Sequence, residues 1–281
     1  EDGDGNLIFL SKECFSNGCI GTVDITYPSA PLYLLYNPEL VKGMMRPIFR
    51  FARMPVWPFD FAPHDVGRYP YATGQVYGVL AERTGKIGED SVFPPYYQYP
   101  AGEEVYQLHR QMPVEESGNM LILCAAIAIC EGNAEFSRPQ MDILEKWVSY
   151  LLEFGEDPGE QLCTDDFAGH LAHNINLSAK AILGVYAYAI LLEKLGRTNE
   201  ASAYRRRAAR MAESWEERAQ CGDHTALTFG DRQGWSLKYN LVWDVLFGSD
   251  LFSKDLYRQE LAWYQKMSNR YGAPLDSRDA R

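Results

Sequence analysis

The chain has 281 residues, 46% of them hydrophobic and 13% aromatic, enough to bury a large core and too apolar for a disordered segment. Its net charge of −11 and pI near 5.0 argue against nucleic acid or an anionic membrane as partner. Six cysteines, at 14, 19, 124, 130, 163 and 221, show no CxxC or zinc-like spacing, so they define neither a metal knot nor a redox compartment.

Residues 1–36 read as an extended opening segment, with turn signals at Asp2-Gly3-Asp4-Gly5, Ser16-Asn17-Gly18 and Tyr27-Pro28. A helix is predicted over 37–53, with Asn37 as cap and Pro38 at the first helical position. Residues 54–71 are rich in Pro and aromatics, and a structureless loop of that size is uncommon unless it has a function. A short helix is expected at 72–84, then a second loop over 86–113. A very apolar helix follows at 120–130, and an amphipathic one at 138–153. Residues 156–174 form a polar loop that empties into helices 176–195 and 198–219. A Gly- and aromatic-rich loop, 220–240, precedes helices at about 241–248 and 254–270. No signal peptide or membrane-spanning segment is read, and a chain that starts without Met and stops at Asp279-Ala280-Arg281 reads as part of a longer protein.

Long polar loops enter apolar helices, short turns follow, and amphipathic helices return. This alternation predicts a single all-α domain over 1–281, an α/α toroid of helical hairpins with apolar helices inside and charged ones outside. About four hairpins are visible, so a six-hairpin ring would be incomplete in this chain.

Each long loop carries an acid, and a toroid gathers such loops on one face. The candidates are Asp65, Glu115, Glu116, Asp165 and Asp166, with Asp231 near Trp235. Two carboxylates whose pKa values are pushed apart can activate water and protonate a leaving group. Each acid alone also fits a bland role, such as capping a helix. His64, Asn119, His170 and His173 are candidates for binding and oxyanion stabilisation, and Trp57, Tyr96, Tyr97 and Trp235 for aromatic platforms. Asp166, His170 and His173 have helical spacing that would suit a metal, but a hydrogen-bonded wall is the preferred reading, and neither metal nor cofactor is expected. Cys163 could serve as a thiolate nucleophile, ranked below the carboxylates. No Gly-x-Ser-x-Gly elbow is present.

Several blocks together resemble one family. They are Phe9 through Glu13, Phe15 through Cys19, Pro63-His64-Asp65-Val66-Gly67, Gln111 through Asn119, Cys163 through Asn174, Lys238 through Asp244 and Tyr271 through Asp276. In this order they resemble the C-terminal helical domain of glutaminase A-like proteins. The resemblance implies a six-hairpin toroid, a β-rich N-terminal domain of the same protein lying outside this chain, and a secreted or periplasmic location. It also implies hydrolysis of the side-chain amide of L-glutamine. Two other readings stand beside it: a glycoside hydrolase using paired carboxylates, and a non-catalytic carbohydrate-binding module.

Overall fold

The computed structural model describes residues 1–13, 17–87, 90–163 and 169–279. Among them eight α-helices run in four consecutive pairs: α1 (Val23–Tyr36) with α2 (Pro38–Ala52), α3 (Pro113–Glu131) with α4 (Met141–Phe154), α5 (Ile175–Lys194) with α6 (Thr198–Ala219), and α7 (Val242–Phe247) with α8 (Lys254–Met267).

Local chemistry sets the boundaries. Asn37 accepts a hydrogen bond from the Glu39 amide, and Pro38 opens α2 where a missing N–H costs nothing. Asn174 and Ser253 cap α5 and α8 in the same way. The helix α3 stops at Gly132, whose left-handed backbone closes it.

The inner helices are α3 and α5. Nearly every side chain of both is buried, and α1 and α5 flank α3. By length and composition both could cross a membrane, yet 89% and 94% of their apolar windows are buried inside the protein. Outer helices α2, α4 and α6 bury one stripe each; on α4 it is Ile143, Leu144, Trp147, Val148 and Leu151. Two glycines bring α3 and α5 together. A Cβ on Gly184 would lie 3.3 Å from the Gly118 Cα, and one on Gly118 would lie 2.7 Å from Lys180 Cγ.

Four expectations are corrected. Residues 23–36 are helical rather than extended, although Pro28 and Pro31 lie inside the helix. Burial of Val23, Tyr27 and Ala30 against the core offsets the hydrogen bonds those prolines forgo. No helix forms over 72–84, where Gly74 and Gly78 have φ of 92° and 65°; only Ala81–Arg83 makes a single 3-10 turn. The helix α3 begins at Pro113, not at 120, so Glu115, Glu116 and Asn119 stand on its first turns rather than in a loop. The loop expected at 220–240 is mostly a three-stranded antiparallel sheet of β5 (Gln220–Cys221), β6 (His224–Thr228) and β7 (Asp231–Trp235). Two smaller sheets join β1 (Cys19–Ile20) to β2 (Gly67–Arg68), and β3 (Gly85–Ile87) to β4 (Asp90–Val92).

Candidate active site

The first turns of α3 face inward. Pro113 starts the helix, and the Val114 amide is satisfied by Gln161 Oε1 at 3.0 Å. Glu115 and Glu116 are both fully buried. Asn119, one turn on, donates from Nδ2 to Glu115 Oε1 at 3.2 Å and to Glu116 Oε2 at 3.1 Å. One amide thus ties the two carboxylates together.

Their surroundings then diverge. Glu115 is ion-paired and hydrogen-bonded with Lys180 of α5, also fully buried. The Lys180 ammonium also lies 4.1 Å from the centre of the Tyr27 ring of α1. Tyr27 in turn donates its hydroxyl to Asn240 Oδ1 at 2.8 Å. Among the described residues no Lys or Arg pairs with Glu116. Burial, together with the negative charges of Asp24 and Glu115, holds its carboxyl well above the usual range, with His64 and Asn119 opposing. Its Oε1 is buried without a hydrogen bond among the described residues.

The loop 54–71 delivers His64 and Asp65 to the same place. Asp65 accepts the amides of Gly67 and Val76 on Oδ1, both at 2.9 Å, and that of Tyr77 on Oδ2 at 3.1 Å. The same Oδ2 is 3.0 Å from His64 Nδ1, so the ring donates there and its Nε2 turns towards Glu13 and Asp24, at 3.6 and 3.8 Å. Burial alone would lower the His64 pKa. Asp24 and the hydrogen bond to Asp65 outweigh it, so the imidazole titrates well above its usual value. Tyr77 stacks on the ring at 4.3 Å between centroids. Gly67 makes this turn possible: its φ is 152°, and a Cβ there would lie 2.2 Å from the Tyr71 carbonyl oxygen.

Among the described residues two overlapping groups have the donor types of a cation site, Asp24–His64–Glu116 and Glu13–Cys19–His64, each with ligand atoms within 4.8 Å of one another. Neither includes His170 or His173. Cys19 is a free, buried thiol, pushed up to about 12 by burial and by Asp65, with His64 opposing.

The structure therefore brings together Asp65, Glu115, Glu116, His64 and Asn119 from the sequence reading. Asp165 and Asp166 lie outside the described residues. His173 is exposed and pairs with Asp157 at 2.8 Å, and Cys163 accepts from Asn174 Nδ2 at 3.5 Å. The aromatic candidates sit elsewhere. Trp57 is packed among Phe51, Phe59, Phe61 and Tyr106, with its ring N–H on the Phe61 carbonyl. Trp235 is buried against Trp263 and Tyr264, Tyr96 is buried, and Tyr97 lines a separate cavity beside α2. Asp231 opens β7 and accepts the Gln233 amide. His170 lines a cavity of about 480 Å³ that also reaches Cys19 and Tyr77, against the His64 cluster.

Sequence reading missed Glu13, Asp24, Lys180 and Tyr27. Lys180 carried a usable signal: it is the one charged residue among the first eighteen of α5, where burial without a partner would be costly.

Paired helices around two buried inner ones, with acids gathered at the start of α3, the start of α1 and the loop before Gly67, define a helical-hairpin domain with a polar centre. The chain belongs to the family described as the glutaminase A six helical-hairpin domain, which it matches over residues 1–281. It is 33% identical over 276 residues to glutaminase A of Aspergillus oryzae, covering 96% of this chain and 36% of that protein. It is 24% identical over 360 aligned positions to a protein of Arthroderma benhamiae named as a probable glutaminase, covering 98% of this chain and 38% of that protein. The chain thus spans little more than a third of the length of these relatives.

Proposed function

We propose that this domain carries the hydrolytic site of a glutaminase A-type enzyme acting on the side-chain amide of L-glutamine. The observation that carries this is the contrast between two neighbouring carboxyl groups. Glu115 shares a buried ion pair with Lys180, while burial and the charge of Asp24 push the Glu116 carboxyl well above its usual range. Adjacent acids in opposite protonation states are what general acid–base hydrolysis requires.

In this reading ionised Glu115 takes a proton from water as the water oxygen adds to the amide carbonyl carbon. The C–N bond breaks, and Glu116 gives its proton to the departing ammonia. Protonated His64, fixed by Asp65, stabilises negative charge on the carbonyl oxygen, as an oxyanion donor does. The names of the relatives support the substrate. The packing of Trp57 and Trp235 within the protein removes two of the platforms a sugar would have used.

The test is ammonia release from L-glutamine by the full-length protein. Glu115→Gln and Glu116→Gln should each lower kcat by roughly 100-fold or more, while dialysis against a chelator leaves turnover unchanged. Full turnover in both variants overturns the assignment. Loss on chelation, restored by zinc, would instead make the His64 groupings a metal centre.

A further inference from the structure

The cavity beside the cluster contains two cations that the acid–base reading leaves unused. It is lined by Cys19, Arg68, Tyr77, Phe93, Arg110 and His170, among others, and holds about 480 Å³. Its inner wall is fastened to the cluster, since Tyr77 stacks on His64 and its amide is held by Asp65.

Both arginines are placed by the fold. Arg68 stands opposite Cys19 in the β1–β2 ladder, and its guanidinium lies 5.8 Å from the centre of the Phe93 ring. Arg110 ends a 3-10 turn directly before Gln111, whose side chain accepts from Gln75 at 2.7 Å. Gly78 lets this turn approach: a Cβ there would meet Gln111 Nε2 at 2.3 Å and Arg110 Cβ at 3.3 Å. Other loop arginines, such as Arg83 and Arg278, form salt bridges. Arg68 and Arg110 form none among the described residues, in a chain where 38 acidic residues outnumber 27 basic ones. Two exposed guanidinium groups on one cavity, neither ion-paired among the described residues, are suited to a planar carboxylate, which the flat donor fork of arginine binds through two oxygens.

We propose that Arg68 and Arg110 form a carboxylate subsite that takes the α-carboxylate of a free amino-acid amide. The assignment of that amide rests on the function proposed above. The subsite makes the enzyme selective for substrates ending in a carboxylate, and discriminates against glutamine followed by a further residue.

The experiment measures binding and turnover separately, on the full-length protein. Calorimetric titration with L-glutamate, which cannot turn over, should show binding that Arg68→Gln and Arg110→Gln each weaken by roughly 10- to 100-fold. Arg258→Gln, an exposed change on α8, should leave it intact. In kinetics the two variants should raise KM for L-glutamine with little change in kcat. They should leave L-glutaminamide, whose α-carboxylate is replaced by an amide, unaffected.

The subsite is overturned if both variants bind glutamate within twofold of the unaltered protein, or if the unaltered protein does not bind it. Inorganic phosphate binding as tightly as glutamate, with the same loss in both variants, overturns the carboxylate assignment. Glutamate binding that depends on both arginines, without ammonia release from any amide, would sink the hydrolase reading and leave the subsite standing. Ammonia release with unchanged KM in both variants would do the reverse.

Discussion

Lys180 of α5 gives its ammonium to Glu115 of α3 where neither side chain reaches solvent. A buried ion pair of this kind adds little net stability, but removing one partner strands the other charge. Lys180→Met is therefore expected to cost ~4 kcal/mol, read from the urea midpoint. Lys180→Met combined with Glu115→Gln should recover most of that loss. A single variant as stable as the parent would mean that Glu115 does not depend on Lys180 for its charge.

Asp65 and Glu116 are both fully buried acids, yet they should respond in opposite ways to the same isosteric change. Asp65 accepts three backbone amides and the His64 ring, so an amide at this position turns a donor towards donors. Asp65→Asn is expected to destabilise by about 3 kcal/mol in chemical unfolding. Burial and the charge of Asp24 push the Glu116 carboxyl well above its usual range, so Glu116→Gln should change stability by less than about 1 kcal/mol while abolishing turnover. The reverse ranking of stabilities would show that Asp65 is not the carboxylate holding the loop.

Lys238 supplies a pH signature remote from the cluster. It is buried, donating to the Ser236 and Thr225 carbonyls, and burial lowers its pKa from 10.5 to about 8 against the opposing charges of Glu260 and Asp276. Between those values the unfolded chain binds more protons than the folded one, so stability rises with pH, and the cost is fully present below about 8. Above 9.0 the buried thiols of Cys19 and Cys124, both pushed up to about 12 by burial, work in the opposite direction, and above 10.0 the hydroxyl of Tyr264, pushed up by burial and by Glu260, adds to them. The window is thus pH 8 to 9, and the rise there should be on the order of 1 kcal/mol. Urea unfolding across that range, compared with Lys238→Met, checks it: the variant should lose the slope.

The helical rhythm was legible because α2, α4 and α6 bury apolar stripes that repeat at helical spacing, whatever they pack against, and α5 is apolar along nearly its whole length. Prolines at 28 and 31 disguised α1, and the polar run Glu115 to Asn119 disguised the start of α3. In both places long-range burial overrode the local signal. The site followed the same division. His64, Asp65, Glu115 and Glu116 stood out as acid- and imidazole-bearing motifs. Asp24 and Lys180 did not, because each acts through a neighbour far away in sequence, Asp24 on His64 and Lys180 on Glu115. The role of Asp65 was hidden for a different reason: its backbone partners at 76 and 77 exist only once the loop closes.

The glycines that face each other from α3 and α5 have a consequence for ionisation. Gly118 leaves no room beyond its own backbone before Lys180 begins. The separation of two helix axes therefore fixes whether the ammonium reaches Glu115, and through Glu115 it bears on where the proton rests on Glu116. A single uncharged methyl group at position 118 would act on this centre as a change of voltage, although it brings no charge of its own.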